Sequence, residues 1–315
     1  MRWGFSSFCV IFILLNLFIQ APVEAASNKH GWSMDIYGER NSGTNWITVA
    51  AAKNVGKYFE ESYHLSATAA GGLFKKVQPC WVTKFGWKHG RLQRQFLTNP
   101  SLQPQKTVFI VVFRNPYNWI ISMKKLPHQA PKMATPMLSH FISQEWHDGW
   151  GKKYQDMTWE YNPETKKPYT NIFTMRTAKY QGWLDMQNVP GIHVAYVQYE
   201  KLLEDAGKAL IASITKASGG EFKQIGEFQT VTGHCGAMAW KSLKCDGKGH
   251  AHPKVKDTFK THWKQNPEAV ATAYRYLNAT VENHLGYIVY AADGEKTIPN
   301  DPAEAIWNPE FFKIN

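Results

Sequence analysis

The sequence predicts an α/β chain in which helices flank a central parallel sheet. Residues 107–113 form an apolar and largely β-branched run, which is typical of a strand buried on both faces of a parallel sheet. Residues 36–46 have the pattern of a glycine-rich turn that leads into a helix. A length of 315 residues with 43% hydrophobic content is ample for the core of one large domain.

Periodicity and turn residues predict the remaining elements. Two further strands are expected, the second strand of the sheet at 81–85 and another at 194–199. The last helix should bury one face that carries Val270, Tyr274, Leu277 and Val281. Helices are expected over residues 46–52, 138–146, 177–186, 200–217 and 267–284.

The glycine-rich turn has the spacing of an anion-binding loop. Four residues separate Gly38 from Gly43, and Thr44 and Asn45 follow. Glycine lets backbone amides approach a phosphate, and the start of a helix favours negative charge. A nucleoside triphosphatase loop requires Lys and then Ser or Thr after the second glycine, so ATPase or GTPase activity is disfavoured. A tight turn without a ligand is the alternative.

A second group of polar residues follows the apolar run. Arg114 comes directly after residue 113, and Ser122 lies eight residues later, in the helix expected to follow Asn115 and Pro116. A guanidinium fork and a hydroxyl suit a phosphate group. Ligands of open α/β sheets bind at the carboxyl ends of the strands, where both motifs would meet. The alternative is a surface ion pair at Arg114 and an ordinary helix residue at Ser122.

Together the two motifs resemble those of PAPS-dependent sulfotransferases, where PAPS is 3′-phosphoadenosine 5′-phosphosulfate. The 42–46 segment is similar to their 5′-phosphosulfate loop, and Arg114 with Ser122 is similar to their 3′-phosphate site. Residues 194–203 and Tyr287 add weaker similarities. The resemblance implies a three-layer P-loop-like fold and an enzyme that transfers a sulfuryl group from PAPS to a hydroxyl group.

The resemblance also implies roles for individual residues. The family has Lys or Arg immediately before Ser-Gly-Thr, whereas this chain has Asn41 there and Arg40 one residue earlier. Arg40 is therefore the candidate cation for the leaving group, with Lys84 or Lys88 as alternatives. The expected cofactor-binding residues are Arg40, Asn41, Ser42, Gly43, Thr44, Asn45, Arg114 and Ser122.

Two side chains are candidates for the catalytic base. His89 follows Lys88 at a place similar to the family's Lys-Thr-His sequence, and a histidine can accept a hydroxyl proton near neutral pH. Glu39 is the second candidate, and a surface histidine in a basic loop is the alternative for His89. No metal is expected, because fixed cations and amides can neutralise the leaving phosphate.

The beginning of the chain predicts entry into the secretory pathway. Arg2 precedes an apolar run at 8–19, and small residues at 23–25 offer a cleavage site. Residues 1–25 are therefore expected to be a signal peptide, leaving 26–315 as a single sulfotransferase-like domain in the Golgi lumen or secreted. An uncleaved anchor that uses 3–19 for membrane association is the alternative.

Cysteines and a sequon fit that compartment. Cys235 and Cys245 are the expected disulfide, which leaves Cys80 over. A metal site that adds His234, His250 and His252 is the alternative, although its spacing matches no standard zinc pattern. The sequon at 278–280 predicts a glycoprotein.

A formal charge of +11 favours an anionic partner. The nucleotide cofactor and a glycan acceptor both fit, with a tyrosyl or small-molecule acceptor as the alternative, whereas the secretory start disfavours nucleic acid. A basic stretch at 248–260 resembles the family's segment that closes over the 3′-phosphate. The main alternative is a catalytically inactive secreted protein of the same fold that binds anionic glycans.

Overall fold

A three-stranded parallel sheet forms the centre of the computed structural model. The structure describes residues 31–56, 82–83, 85–92, 94–127, 133, 135–146, 160–162, 165, 167–205, 207–231, 262–293 and 296–297. The strands are β1 Ser33–Gly38, β2 Val82–Thr83, β3 Gly86–Trp87, β4 Thr107–Phe113, β5 His193–Gln198, β6 Val289–Tyr290 and β7 Lys296–Thr297. The helices are α1 Thr44–Val55, α2 Arg94–Leu97, α3 Pro116–Lys125, α4 Leu138–Ser143, α5 Ile172–Leu184, α6 Tyr199–Glu204, α7 Lys208–Ala217, α8 Pro267–Tyr276 and α9 Ala279–His284. Short 3₁₀ turns lie at Pro100–Leu102, Pro104–Lys106 and Asp185–Asn188.

The sheet has the order β1–β4–β5, and both pairings are parallel. All seven residues of β4 are buried, because this strand lies in the middle and its side chains pack on both faces. The register pairs Gly38 with Val112 and Phe113 with Gln198, so the three strands end at the same edge. The expected α/β architecture, a parallel sheet flanked by helices, is confirmed.

The prediction that residues 81–85 form the second strand of this sheet is wrong. Val82–Thr83 pairs antiparallel with Gly86–Trp87 in a separate two-stranded sheet. Gly86 has a φ of 109°, which lets the chain turn back within four residues. The hairpin therefore carries Lys88 and His89 towards β1, where the Gly38 amide donates to the Lys88 carbonyl.

Two predicted helices have different bounds. The helix expected at 138–146 ends at Ser143, and Trp146 instead forms a β-bridge with Tyr169. The helix expected at 177–186 begins earlier, at Ile172, because the Asn171 side chain caps the Thr174 amide at 2.9 Å.

The two longest predicted helices are each broken into two. The 200–217 helix divides into α6 and α7 at Gly207, whose φ is 94°. The 267–284 helix divides into α8 and α9 because Asn278 caps the second helix through the Val281 amide at 3.1 Å. Of its expected buried face, Tyr274 is 45% exposed, whereas Val270, Leu277 and Val281 are buried.

Helix α5 contributes to both hydrophobic clusters of the described core. Its first turns pack with α3, α4 and α8, and its last turn packs with β4 around Phe113. The same helix carries two buried cations, Arg176 and Lys179, into the interior. Buried cations need partners, and one partner of Lys179 is Glu39, the residue that follows β1 at the edge where the strands end.

No helix within the described ranges is long and apolar enough to cross a bilayer. Several predictions concern residues outside those ranges. They are the signal segment with 3–19, Lys84, the three cysteines Cys80, Cys235 and Cys245, and the basic stretch 248–260.

Candidate functional site

The candidate site lies where β1, β4 and β5 end. The next residues in the chain are Glu39, Arg114 and Tyr199, so each strand supplies a polar or aromatic side chain to this edge. Residues 39–43, called the 39–43 turn below, connect β1 to α1. The site therefore occupies the position at which open α/β sheets bind ligands.

Close packing requires both glycines of the first motif. Gly43 has a φ of 86°, and a Cβ there would lie 2.4 Å from Cε2 of Tyr199. A Cβ on Gly38 would lie 2.3 Å from Cγ1 of Val112 and 2.7 Å from Oγ of Ser42. The glycine spacing is thus explained in part by contact between the turn and the neighbouring strands.

The N-terminus of α1 has free donor capacity. No described side chain caps it, and the first intrahelical bond runs from the Ile47 amide to the Gly43 carbonyl at 3.0 Å. The amides of Thr44, Asn45 and Trp46 precede that bond, so the helix cannot use them internally. A helix of twelve residues with such an end favours an anion.

Lys88 brings a cation to that helix end. Its Nζ donates to Oδ1 of Asn45 at 2.8 Å. Burial lowers the pKa of Lys88 to about 8, although the Asp35 carboxylate acts in the opposite direction. The negative charge of Asp35 therefore offsets only part of the cost of burying the Lys88 ammonium. A bound anion would stabilise the charged form of Lys88 further.

Arg114 contacts the 39–43 turn directly. Its Nη1 donates to the Asn41 carbonyl, and its guanidinium carbon is 4.9 Å from the ring centroid of Tyr199. Nε of Arg114 is buried and has no hydrogen-bond partner among the described residues. The guanidinium is thus oriented by the turn and the tyrosine, and it keeps donor capacity for an anion.

Asn41 joins the turn to α3. Its φ of 62° lies in the left-handed region, which asparagine tolerates better than lysine or arginine. Its Nδ2 donates to the Leu126 carbonyl at 3.0 Å and the Ser122 carbonyl at 3.4 Å. Oγ of Ser122 donates to the Asn118 carbonyl at 3.1 Å, so its hydroxyl would have to rotate to contact a phosphate.

Arg40 is directed into the protein interior. Its guanidinium binds Glu160 and lies 5.9 Å and 5.6 Å from the ring centroids of Trp87 and Trp146. The Arg40 carbonyl accepts from Nε1 of Trp119 at 2.9 Å. The arginine side chain expected at the phosphosulfate loop therefore contributes to a buried ion pair instead of to the loop.

Glu39, Arg40, Glu160 and Lys179 form a network, called the buried ion network below. Nζ of Lys179 lies 2.6 Å from Oε1 of Glu160 and 3.3 Å from Oε2 of Glu39. Burial raises the pKa of Glu39, and Lys179 only partly opposes this. Burial would also raise the pKa of Glu160, but Arg40 and Lys179 together hold it below the ordinary value.

Glu160 and Lys179 were not predicted from the sequence. A buried position for Lys179 could have been predicted, because Lys179 lies three residues after Arg176 on a helix face that is otherwise apolar. Two cations on such a face must be paired inside the fold. Glu160 had no comparable signal, since nothing in its neighbourhood relates it to Arg40.

His89 is held as a neutral imidazole. Its Nδ1 lies 2.6 Å from the Gly38 carbonyl, and a carbonyl can only accept, so Nδ1 carries the proton. Its ring packs edge-on against Trp87 at 5.3 Å between centroids. Burial and the nearby Lys88 lower the pKa of His89 well below its usual range. Nε2 therefore presents a lone pair that can accept a proton.

Metal ligands do not cluster in the described part of the chain, where no three His, Cys, Asp or Glu side chains could hold an ion together. The weaker sequence similarities, in contrast, do meet in space. The Tyr287 hydroxyl donates to Oε2 of Glu200 at 3.1 Å, next to Tyr199.

No protein-family model, curated protein or solved structure matches this chain. A function must therefore be inferred from the chemistry of the residues at the sheet edge.

Proposed function

We propose that the chain is a PAPS-dependent sulfotransferase of P-loop-like fold that sulfates a hydroxyl group of a glycan acceptor in the secretory pathway. One observation carries the proposal. The Lys88 ammonium contacts Asn45 at the uncapped N-terminus of α1, and the Arg114 guanidinium contacts the 39–43 turn that leads into this helix, at the carboxyl edge of a parallel sheet. Two separate positive sites on one edge suit a nucleotide with phosphate groups at both its 5′ and 3′ positions.

Separate residues of the chain would bind the 5′ and the 3′ phosphate groups of such a nucleotide. The α1 amides and Lys88 would hold the 5′-phosphosulfate, so we assign Lys88 the cationic role first expected of Arg40. Nε of Arg114, which has no hydrogen-bond partner among the described residues, supports a fit of this guanidinium to the 3′-phosphate. When bound, PAPS supplies the sulfuryl group and leaves as the 3′,5′-bisphosphate.

His89 is better suited than Glu39 to be the base. Glu39 is completely buried beside Lys179, whereas the imidazole of His89 is half-buried, and no described residue forms a hydrogen bond with its Nε2. Nε2 of His89 would take the proton of the acceptor hydroxyl as that oxygen bonds to the sulfuryl group, and the bisphosphate would keep the oxygen of the broken sulfur–oxygen bond. No step requires a metal among these groups.

The test is calorimetric titration of the purified protein with 3′-phosphoadenosine 5′-phosphate, the desulfated cofactor. We expect selective binding over ADP and ATP–Mg²⁺, and a loss of about 10- to 100-fold in affinity in Arg114→Ala, because charged hydrogen bonds are removed. Arg94→Ala removes an exposed arginine and should leave the affinity unchanged. Equal binding of ADP, or an unaffected Arg114→Ala variant, contradicts the proposal.

Lys88 makes the affinity depend on pH. Its ammonium is charged below about pH 8 and loses its proton above it, so binding of the bisphosphate should weaken by about tenfold between pH 7 and pH 10. Lys88→Arg stays charged and should show a flat profile over this range. Titrations in buffers of different ionisation enthalpy should show proton uptake on binding near pH 8.

The control for this prediction is Lys106→Met, which removes an exposed lysine at the opposite end of β4. Its pH profile should match that of the wild type. An equal decline of affinity in wild type and Lys88→Arg would assign the titration to another group and remove Lys88 from the site.

A second candidate is an inactive protein of the same fold that binds anionic glycans. The Arg40–Glu160 ion pair favours it, because the family's cation before Ser-Gly-Thr is replaced by Asn41. The two candidates differ in one result. Binding of sulfated glycans without binding of the bisphosphate would support the inactive binder.

A further inference from the structure

Both polar groups of the peptide unit between Arg114 and Asn115 are bound by charged side chains. Nη2 of Arg176 donates to the Arg114 carbonyl at 2.7 Å. The Asn115 amide donates to Oε1 of Glu200 at 3.0 Å. A single peptide unit at the end of β4 is therefore held from two sides.

Arg176, on the carbonyl side, is itself immobilised. Its Nε and Nη2 form a bidentate pair with Glu282 at 2.6 Å and 2.9 Å. Its guanidinium carbon lies 4.1 Å and 4.9 Å from the ring centroids of Tyr180 and Trp119. A fork held by a carboxylate and two rings can present the second hydrogen of Nη2 in only one direction.

Glu200, on the amide side, is held in a similar way. Its Oε2 accepts from the hydroxyl of Tyr287, which is buried. The residue before it, Tyr199, lies against the Arg114 guanidinium. The first two residues of α6 thus contact both the side chain and the following amide of Arg114.

These two pairs link distant parts of the chain to one arginine. Glu282 and Tyr287 lie in and after α9, about 170 residues beyond the peptide unit they constrain. Neither touches the 39–43 turn through a described contact. Their common effect is to fix the backbone from which the Arg114 side chain extends.

We infer that Arg176–Glu282 and Glu200–Tyr287 are positioning pairs that aim Arg114 at the 3′-phosphate and so set selectivity for a 3′-phosphorylated nucleotide. The inference rests on the proposed function, since it concerns the same nucleotide. It adds four residues that act through Arg114 and do not touch the ligand. Loss of either pair lets the guanidinium shift, which weakens contact with the 3′-phosphate and leaves the 5′ site intact.

The experiment compares 3′-phosphoadenosine 5′-phosphate with 5′-AMP, which differs only in lacking the 3′-phosphate. The readout is the ratio of the two dissociation constants, measured by calorimetry. Arg176→Lys keeps the charge opposite Glu282 but loses the fork, and we expect the ratio to fall by about tenfold. In the background of Arg114→Ala the same substitution should change the ratio no further.

Tyr287→Phe tests the other pair with a change that keeps the aromatic ring of this buried residue. It removes the hydroxyl that holds Glu200, and the ratio should fall in the same direction by a smaller factor. Tyr274→Phe removes a hydroxyl from an exposed tyrosine and is the matched control, with no expected change.

The outcomes separate this inference from the proposed function. A wild-type preference for the bisphosphate that depends on Arg114, but is unchanged in Arg176→Lys and Tyr287→Phe, overturns the inference alone. A lower melting temperature with an unchanged ratio also overturns the inference alone, because it shows that the two pairs have a purely structural role. A wild-type ratio near one overturns the proposed function and the inference with it.

Discussion

Glu160→Gln should destabilise the protein by about 3–5 kcal/mol. Glu160 is the carboxylate shared by Arg40 and Lys179, and all three side chains are buried. The substitution keeps the shape of the side chain and the acceptor for Nε1 of Trp146, which lies 3.0 Å from Oε2. It removes the charge of the carboxylate that both buried cations contact, and this loss of charge compensation is the source of the large effect.

The measurement is urea unfolding, with the free energy of unfolding taken from midpoint and slope. Glu204→Gln is the matched control, since Glu204 pairs with Lys201 at 2.8 Å on an exposed helix surface, with 54% of its side chain accessible. Exposed pairs contribute about 0–1 kcal/mol, so that variant should differ little from wild type. Equal effects of the two substitutions would show that the buried ion network does not hold the sheet edge together.

Gly43→Ala should cost about 2–5 kcal/mol, because two penalties add at that residue. The positive φ of 86° costs a residue with a Cβ about 1–2 kcal/mol. The new methyl group would meet the Tyr199 ring at 2.4 Å, and overpacking typically costs about 1–3 kcal/mol more. We also expect weaker bisphosphate binding, since the clash moves Tyr199 away from Arg114.

Gly226→Ala separates the two penalties. Gly226 has a φ of 65°, and nothing lies within 4 Å of a Cβ built there, so only the backbone term applies. The change in unfolded-chain entropy is the same for both variants and cancels in their difference. In a Tyr199→Ala background, Gly43→Ala should cost only about as much as Gly226→Ala, because the ring that the new methyl group would meet is gone. Equal costs at the two glycines would show that the turn does not need close contact with Tyr199.

The main features of the fold were predictable because local patterns encode them. The uninterrupted apolar run at 107–113 can only be satisfied by a strand covered on both faces, and β4 is that strand. Parallel strands end at one edge, so the two motifs were expected to meet there, and Arg114 does contact the 39–43 turn. The helix breaks at Gly207 and Asn278 were missed because the apolar period continues through them.

The sequence by itself determined the α/β class, the positions of two of the three main strands, β4 and β5, and the two motifs at the carboxyl edge of the sheet. Only the tertiary structure decided which cation lies at the N-terminus of α1, beside Asn45. Arg40 lies next to the motif in sequence, yet it pairs with Glu160, 120 residues away, whereas the hairpin brings Lys88 to Asn45. A short pattern specifies period and turn geometry, which are local properties. The partner of a buried charge depends on which distant segments pack around it, because desolvation must be offset by whatever opposite charge the completed fold places there.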